Sequence, residues 1–277
     1  MAQKNYSVAE ARLLTLYAEG KGDLHALTML VDTYREEGQL DKAMALLTGE
    51  LKRSPESSSV HALLADTALH SRNYDLALDH YQFLLKKGVR SEQLQMRLGA
   101  VYEFKGNYPQ AVASFQIARN LAPRDAAASI ALGDALRLAG RDREAVASYR
   151  SALVLDPENP KVMNSLAFLL VDEDGQVGEA ESLVLRALQK APQDPDFRDT
   201  LGLIYLKKSL RDSAISVFES LAKKYPDNPL YLYHYGLALY QTGQAAKAKD
   251  ELEAALPKRP SAEIRKNIET TLAKIRQ

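Results

Sequence analysis

An all-α solenoid of helix hairpins is the fold this sequence predicts, and three observations predict it. Proline recurs at Pro55, Pro123, Pro157, Pro192, Pro226 and Pro260, with separations of 68, 34, 35, 34 and 34 residues. An alanine stands twelve residues before each of them, at Ala43, Ala111, Ala145, Ala180, Ala214 and Ala248. A glycine stands twenty-four residues before four of them, at Gly99, Gly133, Gly202 and Gly236. A fixed period of about 34 residues marks an array of two-helix units, none of which buries its apolar face alone, so that stability comes from stacking.

Within one period the spacing is that of a helix hairpin. Leu98, Gly99 and Tyr102 share one face of a first helix, and Ala111, Phe115 and Ala118 share one face of a second. The small residues let two backbones approach while the large ones fill the space beside them. Lys105-Gly106-Asn107 supplies the turn, and Pro123 ends the second helix.

Read in order from the N-terminus, Val8 to Glu19 is a lone amphipathic helix with Leu13 and Leu16 on its packing face, in the place of a cap. Together with the residues that follow, it makes an N-terminal segment 1–23. Seven units then span 24–57, 58–91, 92–125, 126–159, 160–194, 195–228 and 229–262. The second has Val89 where proline belongs and Arg72 where the turn glycine belongs, and is placed by Ala65, Ala77 and Tyr81. The fifth carries one extra residue in Asp172-Glu173-Asp174-Gly175 and Ala167 in place of glycine. Residues 263–277 close the array as a C-terminal capping helix, with Ile264, Ile268, Leu272 and Ile275 at helical spacing among charges.

Composition excludes several function classes. Lys+Arg and Asp+Glu both number 36, so a net charge of zero offers no basic field to a phosphate backbone, and nucleic acid is not expected as a partner. No stretch supplies the roughly 18 uninterrupted apolar residues of a membrane span, so direct membrane insertion is not expected. Glu10 and Arg12 interrupt the apolar N-terminal stretch, which therefore does not read as a signal peptide. Cysteine is absent, which removes disulfides and thiolate chemistry but leaves both cytoplasm and periplasm open. The compartment stays undetermined.

Catalytic motifs are missing too. There is no G-x-S-x-G elbow, no phosphate-binding G-x-x-x-x-G-K-[ST] and no H-E-x-x-H. His25, His61, His70, His80 and His234 show no i, i+4 pairing and read as surface or groove residues, not metal ligands. Gly20-Lys21-Gly22 lacks the strand and the rest of a phosphate fingerprint. Asp172, Asp174, Gly175 and Glu179 have the wrong offsets for a calcium loop and read as a turn. Asn5-Tyr6-Ser7 is a glycosylation sequon in spelling only. No cofactor, metal or enzymatic activity is expected.

The repeating string Leu98-Gly99, Tyr102, Gly106, Ala111, Phe115, Ala118, Pro123, repeated as Leu132-Gly133, Gly140, Ala145, Tyr149, Ala152, Pro157, closely resembles the tetratricopeptide repeat (TPR) family. That resemblance implies a right-handed superhelix whose first-helix positions 2, 5, 9 and 12 line a concave groove. Position 5 then runs Thr28, Ala62, Met96, Ile130, Asn164, Asp199, Tyr233, and position 9 runs Asp32, Asp66, Ala100, Asp134, Phe168, Leu203, Leu237. On this register the N-terminal groove is acidic and the C-terminal groove apolar. Tyr233, Leu237 and Tyr240 share a stripe, with Tyr233 and Tyr240 either anchoring a partner or packing against the terminal helix, and Tyr235 reading as core. Asp32, Asp66 and Asp134 are either a solvated face or a ladder complementary to a basic or amide-rich ligand.

Lysine at position 5 with asparagine at position 9, the carboxylate clamp of chaperone-binding TPR proteins, occurs in no unit. The function the resemblance implies is a non-enzymatic scaffold or adaptor whose groove takes a peptide or helix of a partner protein. The alternative is the repeat portion of a larger assembly or a regulatory part of a larger enzyme. Asn164-Ser165-Leu166-Ala167 and Asp199-Thr200-Leu201-Gly202 are similar to bacterial TPR proteins of envelope and exopolysaccharide export. An uncapped end or the tyrosine stripe would also suit homo-oligomerisation.

Overall fold

The structure, a computed structural model, describes residues 6–19, 23–173 and 175–275. Asn5 of the sequon, Gly20-Lys21-Gly22 and Asp174 of the fifth-unit loop lie outside the described residues. Every regular element among the described residues is helical. The chain divides into two compact units, Met1–Arg141 and Asp142–Gln277. The first holds α1 (Tyr6–Glu19), α2 (Leu24–Glu36), α3 (Leu40–Arg53), α4 (Ser58–His70), α5 (Tyr74–Lys86), α6 (Glu92–Phe104), α7 (Tyr108–Leu121) and α8 (Ala126–Leu138). The second holds α9 (Asp142–Leu155), α10 (Pro160–Leu170), α11 (Val177–Lys190), α12 (Pro195–Lys207), α13 (Arg211–Lys224), α14 (Pro229–Gln241), α15 (Ala245–Ala255), a 3-10 turn Leu256–Lys258, and α16 (Ala262–Ile275).

Local chemistry sets the helix starts. Asp23, Ser57, Ser91, Asp125, Asn159, Asp194 and Asn228 each accept a backbone N–H from the first turn of the helix that follows. Each such cap is worth about 1 kcal/mol. These seven caps recur with the period of the prolines. They are a repeat signal that the alanine and glycine positions alone do not use.

The turns inside the hairpins need a left-handed residue. Gly38, Gly106 and Gly243 take it at φ of 73°, 71° and 79°, while Arg72 and Ser209 take the same conformation at 61° and 60°. At both of these the next amide closes the helix end: Asn73 N–H donates to Ala68 O and Leu210 N–H to Tyr205 O, each at 2.8 Å. A side chain there costs about 1–2 kcal/mol, which glycine avoids. Ser209→Gly is therefore expected to raise stability by about 0.5–1 kcal/mol net of its added unfolded-state entropy. A urea midpoint that failed to rise would show that this turn holds no strain.

Packing follows the small residues. A Cβ placed on Gly99 would come 2.4 Å from the Phe115 ring, and one on Gly202 would come 2.5 Å from the Phe218 ring. At Gly236 the obstacle is Leu252, 2.7 Å away. The facing alanines Ala111, Ala214 and Ala248 are fully buried.

Among the described side chains of α1 the buried ones are Leu13 and Tyr17, and Leu16 is 55% exposed, which corrects the expected packing face. Tyr17 follows Leu13 by one full turn, and its larger ring takes the inward place. The Tyr17 hydroxyl donates to Glu50 Oε2, which also accepts from Arg53 Nη1 at 3.1 Å, and the Tyr34 hydroxyl donates to Glu10 Oε1 at 2.9 Å. Burial first, and then these carboxylates, push both phenols up to about 12. At the other end, α16 buries Ile268 and Leu272 with Leu232, Leu252 and Ala255, and Ile264 and Ile275 pack at the edge of that cluster.

Candidate binding surface

In the first unit the acidic positions lie among bases. Asp32 accepts from Arg35 Nη1 at 3.2 Å, and the Arg35 guanidinium also reaches His70 Nε2 at 2.9 Å. Asp66 takes the Tyr81 hydroxyl and lies 3.5 Å from Arg97 Nε. Burial pushes the Glu103 carboxyl up, Asp134 adds to that, and Arg137 opposes it. The expected acidic wall is thus an alternation of signs, because Arg35 and Arg137 occupy position 12 of their units, itself read as groove-lining, and Arg97 follows Met96 at position 6. Exposed pairs of this kind contribute about 0–1 kcal/mol each. Met96, Ile130 and Asp134 are half-buried.

The second unit is different in chemistry. Phe168 of α10, Leu203 of α12 and Leu237 of α14 line one cavity of about 470 Å³. Val171 and Leu206 extend its apolar wall, and Asp142, Asp172, Lys207 and Gln241 supply polar groups. Phe168 is 45% exposed, a large apolar area to leave in water. Lys207 Nζ sits 3.3 Å from Asp172 Oδ1, so these two of the charges lining the cavity pair with each other. No lining residue is a histidine, serine or cysteine. The chemistry on offer is desolvation of an apolar group.

Four predicted site residues of this unit fall elsewhere. Asn164 is half-buried one turn before Phe168 and does not line the cavity. Asp199 is 5% exposed and its Oδ1 lies 2.7 Å from His234 Nδ1, so its role is internal, and its place in the groove is corrected. A carboxylate this deep is held by its imidazole partner. Tyr233 packs beside the cluster of Leu252, Ile268 and Leu272, and burial, with Glu263 nearby, pushes its phenol up. Tyr240 is half-buried and stands outside the cavity lining. Tyr235, expected as core, is half-buried between two apolar clusters.

Val171 and Leu206 were legible as position 12 of their units, one turn beyond Phe168 and Leu203. Asp172, Lys207 and Gln241 stand one residue further, at the helix ends, where the groove stripe does not reach. Among the described residues no group of three or more His, Cys, Asp or Glu is placed to hold a metal, and no helix is long and apolar enough to cross a membrane.

Comparison with known proteins agrees with the repeat. Three tetratricopeptide repeat models match, at residues 1–67, at 62–116 and 96–160, and at 137–259. The TPR repeat-containing protein PA4667 of Pseudomonas aeruginosa is 30% identical over 73 residues, covering 26% of this chain and only 12% of that protein. The crystal structure of a tetratricopeptide repeat protein from Parabacteroides merdae aligns with a TM-score of 0.70 at 14% identity, over 92% of this chain and 99% of that one. Pseudomonas aeruginosa PilF aligns with a TM-score of 0.63 at 22% identity, over 75% of this chain and 94% of that one. Identities this low speak for the fold alone. TPR proteins are in general non-catalytic scaffolds for protein–protein interaction. With the period, the hairpins and the family models in agreement from residue 1 to residue 259, the chain belongs to the tetratricopeptide repeat family.

Proposed function

We propose that this chain is a non-enzymatic scaffold that binds a peptide or helix of a partner protein on the apolar wall of its second unit, with seven hairpins over 24–262 between capping helices. One observation carries the reading: Phe168, Leu203 and Leu237, three residues about one repeat apart in sequence, line the same cavity. An exposed Phe168 with half-buried Leu203 and Leu237 on the wall of one cavity gives the apolar lining that binding sites commonly have. The first unit's charged face would act on association rate and selectivity, since its pairs are exposed and screened by salt.

Capture of partners from native lysate tests this. Phe168→Ala with Leu237→Ala is expected to lower capture by at least about 30-fold, because a buried interface anchor commonly carries 2 kcal/mol or more, with the helical signal unchanged. Asp32→Asn with Asp66→Asn should weaken capture only modestly and mainly at low ionic strength. If capture survived loss of the apolar pair and vanished with the aspartates, the partner would be a basic segment held by the first unit.

A further inference from the structure

Two imidazoles meet inside the hairpin of α4 and α5. His61 Nδ1 lies 2.7 Å from His80 Nδ1, and His61 Nε2 lies 2.9 Å from the carbonyl oxygen of Pro55. The Phe83 ring stacks on His61 with centroids 3.7 Å apart and planes 11° apart. His61 is 7% exposed, so water competes poorly for either bond. A carbonyl oxygen only accepts, so Nε2 of His61 carries its hydrogen and Nδ1 is the acceptor of the neutral ring. His80 Nδ1 is then the donor.

This arrangement limits how many protons the pair can hold. A first added proton goes to His80 Nε2, the nitrogen outside the pair, and leaves the Nδ1–Nδ1 bond in place. A second has only His61 Nδ1 to bind. Two N–H groups would then face each other across 2.7 Å, and the bond must break. Burial first, and then His61, oppose a charge on His80 while Asp79 favours it, and His80 is held below the ordinary imidazole range. Glu56 and Lys87, beside Phe83, pair with each other. On the neighbouring helices Glu50 of α3 is engaged by Arg53 and Arg97 of α6 by Asp66.

We propose that the His61–His80 pair is a proton-operated latch that closes α4 onto α5 while it holds at most one added proton and opens when acid supplies the second. The second unit has the opposite wiring. There His234 faces the Asp199 carboxylate, an acceptor that suits a charged imidazole as well as a neutral one. Acid therefore loosens one hairpin of the first unit and leaves the contact of α14 with α12 in place.

The sign follows from proton counting. The unfolded hairpin takes up two protons below the ordinary imidazole value of about 6.5, whereas the closed pair holds at most one. The contribution to stability is thus complete above that pH and is lost as pH falls below it. Each excluded proton raises the opening equilibrium about tenfold per pH unit.

Hydrogen exchange of the whole chain between about pH 7.5 and about pH 5, corrected for intrinsic exchange, reads this directly. Peptides from 58–86 should lose protection by about tenfold or more per unit below the imidazole range, while peptides from α12 and α14 hold theirs. His80→Gln keeps a donor toward neutral His61, and rotation of its amide presents Oε1 as an acceptor to protonated His61, so no two N–H groups are forced together and its protection should be flat with pH. NMR titration of the two C2 protons in the unmodified protein should show two separated steps. Flat protection in the native chain, an undiminished acid loss in His80→Gln, or two coincident titrations at the ordinary value would each overturn the latch.

Discussion

Phe218→Ala should lower stability by about 3–5 kcal/mol, the range for emptying a fully enclosed phenyl site. Phe218 is completely buried, and its ring fills the space left where Gly202 has no side chain. The two positions are one device, so their energies should not add. Gly202→Ala alone forces a methyl to 2.5 Å from a ring that is closed in by Ala214, Leu221 and Tyr231, at a cost of about 1–3 kcal/mol. In the Phe218→Ala background the same methyl enters a cavity and should be neutral or mildly stabilising. A double-mutant cycle by urea denaturation gives the coupling, expected to exceed 1 kcal/mol in size. Additive values would mean that the helices part to accept the methyl and that the glycine is not there for the ring.

Removal of residues 262–277 should have a still larger local effect. α16 covers Leu252, Ala255 and Leu232 with Ile268 and Leu272, and it flanks Tyr233 and Tyr235. Without it the last hairpin presents a continuous apolar face to water. In a nearest-neighbour array that loss is felt first at the end and decays inward. Hydrogen exchange should therefore show α14 and α15 losing protection by orders of magnitude, α12 and α13 less, and the first unit unchanged. Uniform protection after the deletion would remove the capping role of α16. The same experiment bears on Tyr233: if the ring serves packing, its fluorescence environment changes with the deletion, whereas a partner-binding ring would keep its surroundings.

Much of this architecture was legible because the period is a chemical constraint at each step. Proline and alanine mark where a helix ends and where two helices touch, and glycine marks where a ring must enter; these are properties of single side chains, readable without coordinates. The turn at Arg72 shows a limit of such reading, since a residue with a side chain adopts φ of 61° when the helix-closing bond to Ala68 demands it. The lone N-terminal helix shows another, where Leu16 and Tyr17 compete for one inward position and only packing selects the ring.

By itself, the sequence determined the helix-hairpin array, its period and the apolar character of the stripe Phe168, Leu203, Leu237. Those follow from spacing along one chain, because residues at i, i+4 and i+34 have fixed relations once helices form. Tertiary structure alone decided which polar residues are spoken for. Asp66 is taken by Tyr81 and Arg97, Asp199 by His234, and His61 by His80, each across a helix boundary. A carboxylate or imidazole looks the same in sequence whether it faces water or a partner side chain. Burial makes the difference, since a polar group out of water must find its hydrogen bond within the protein.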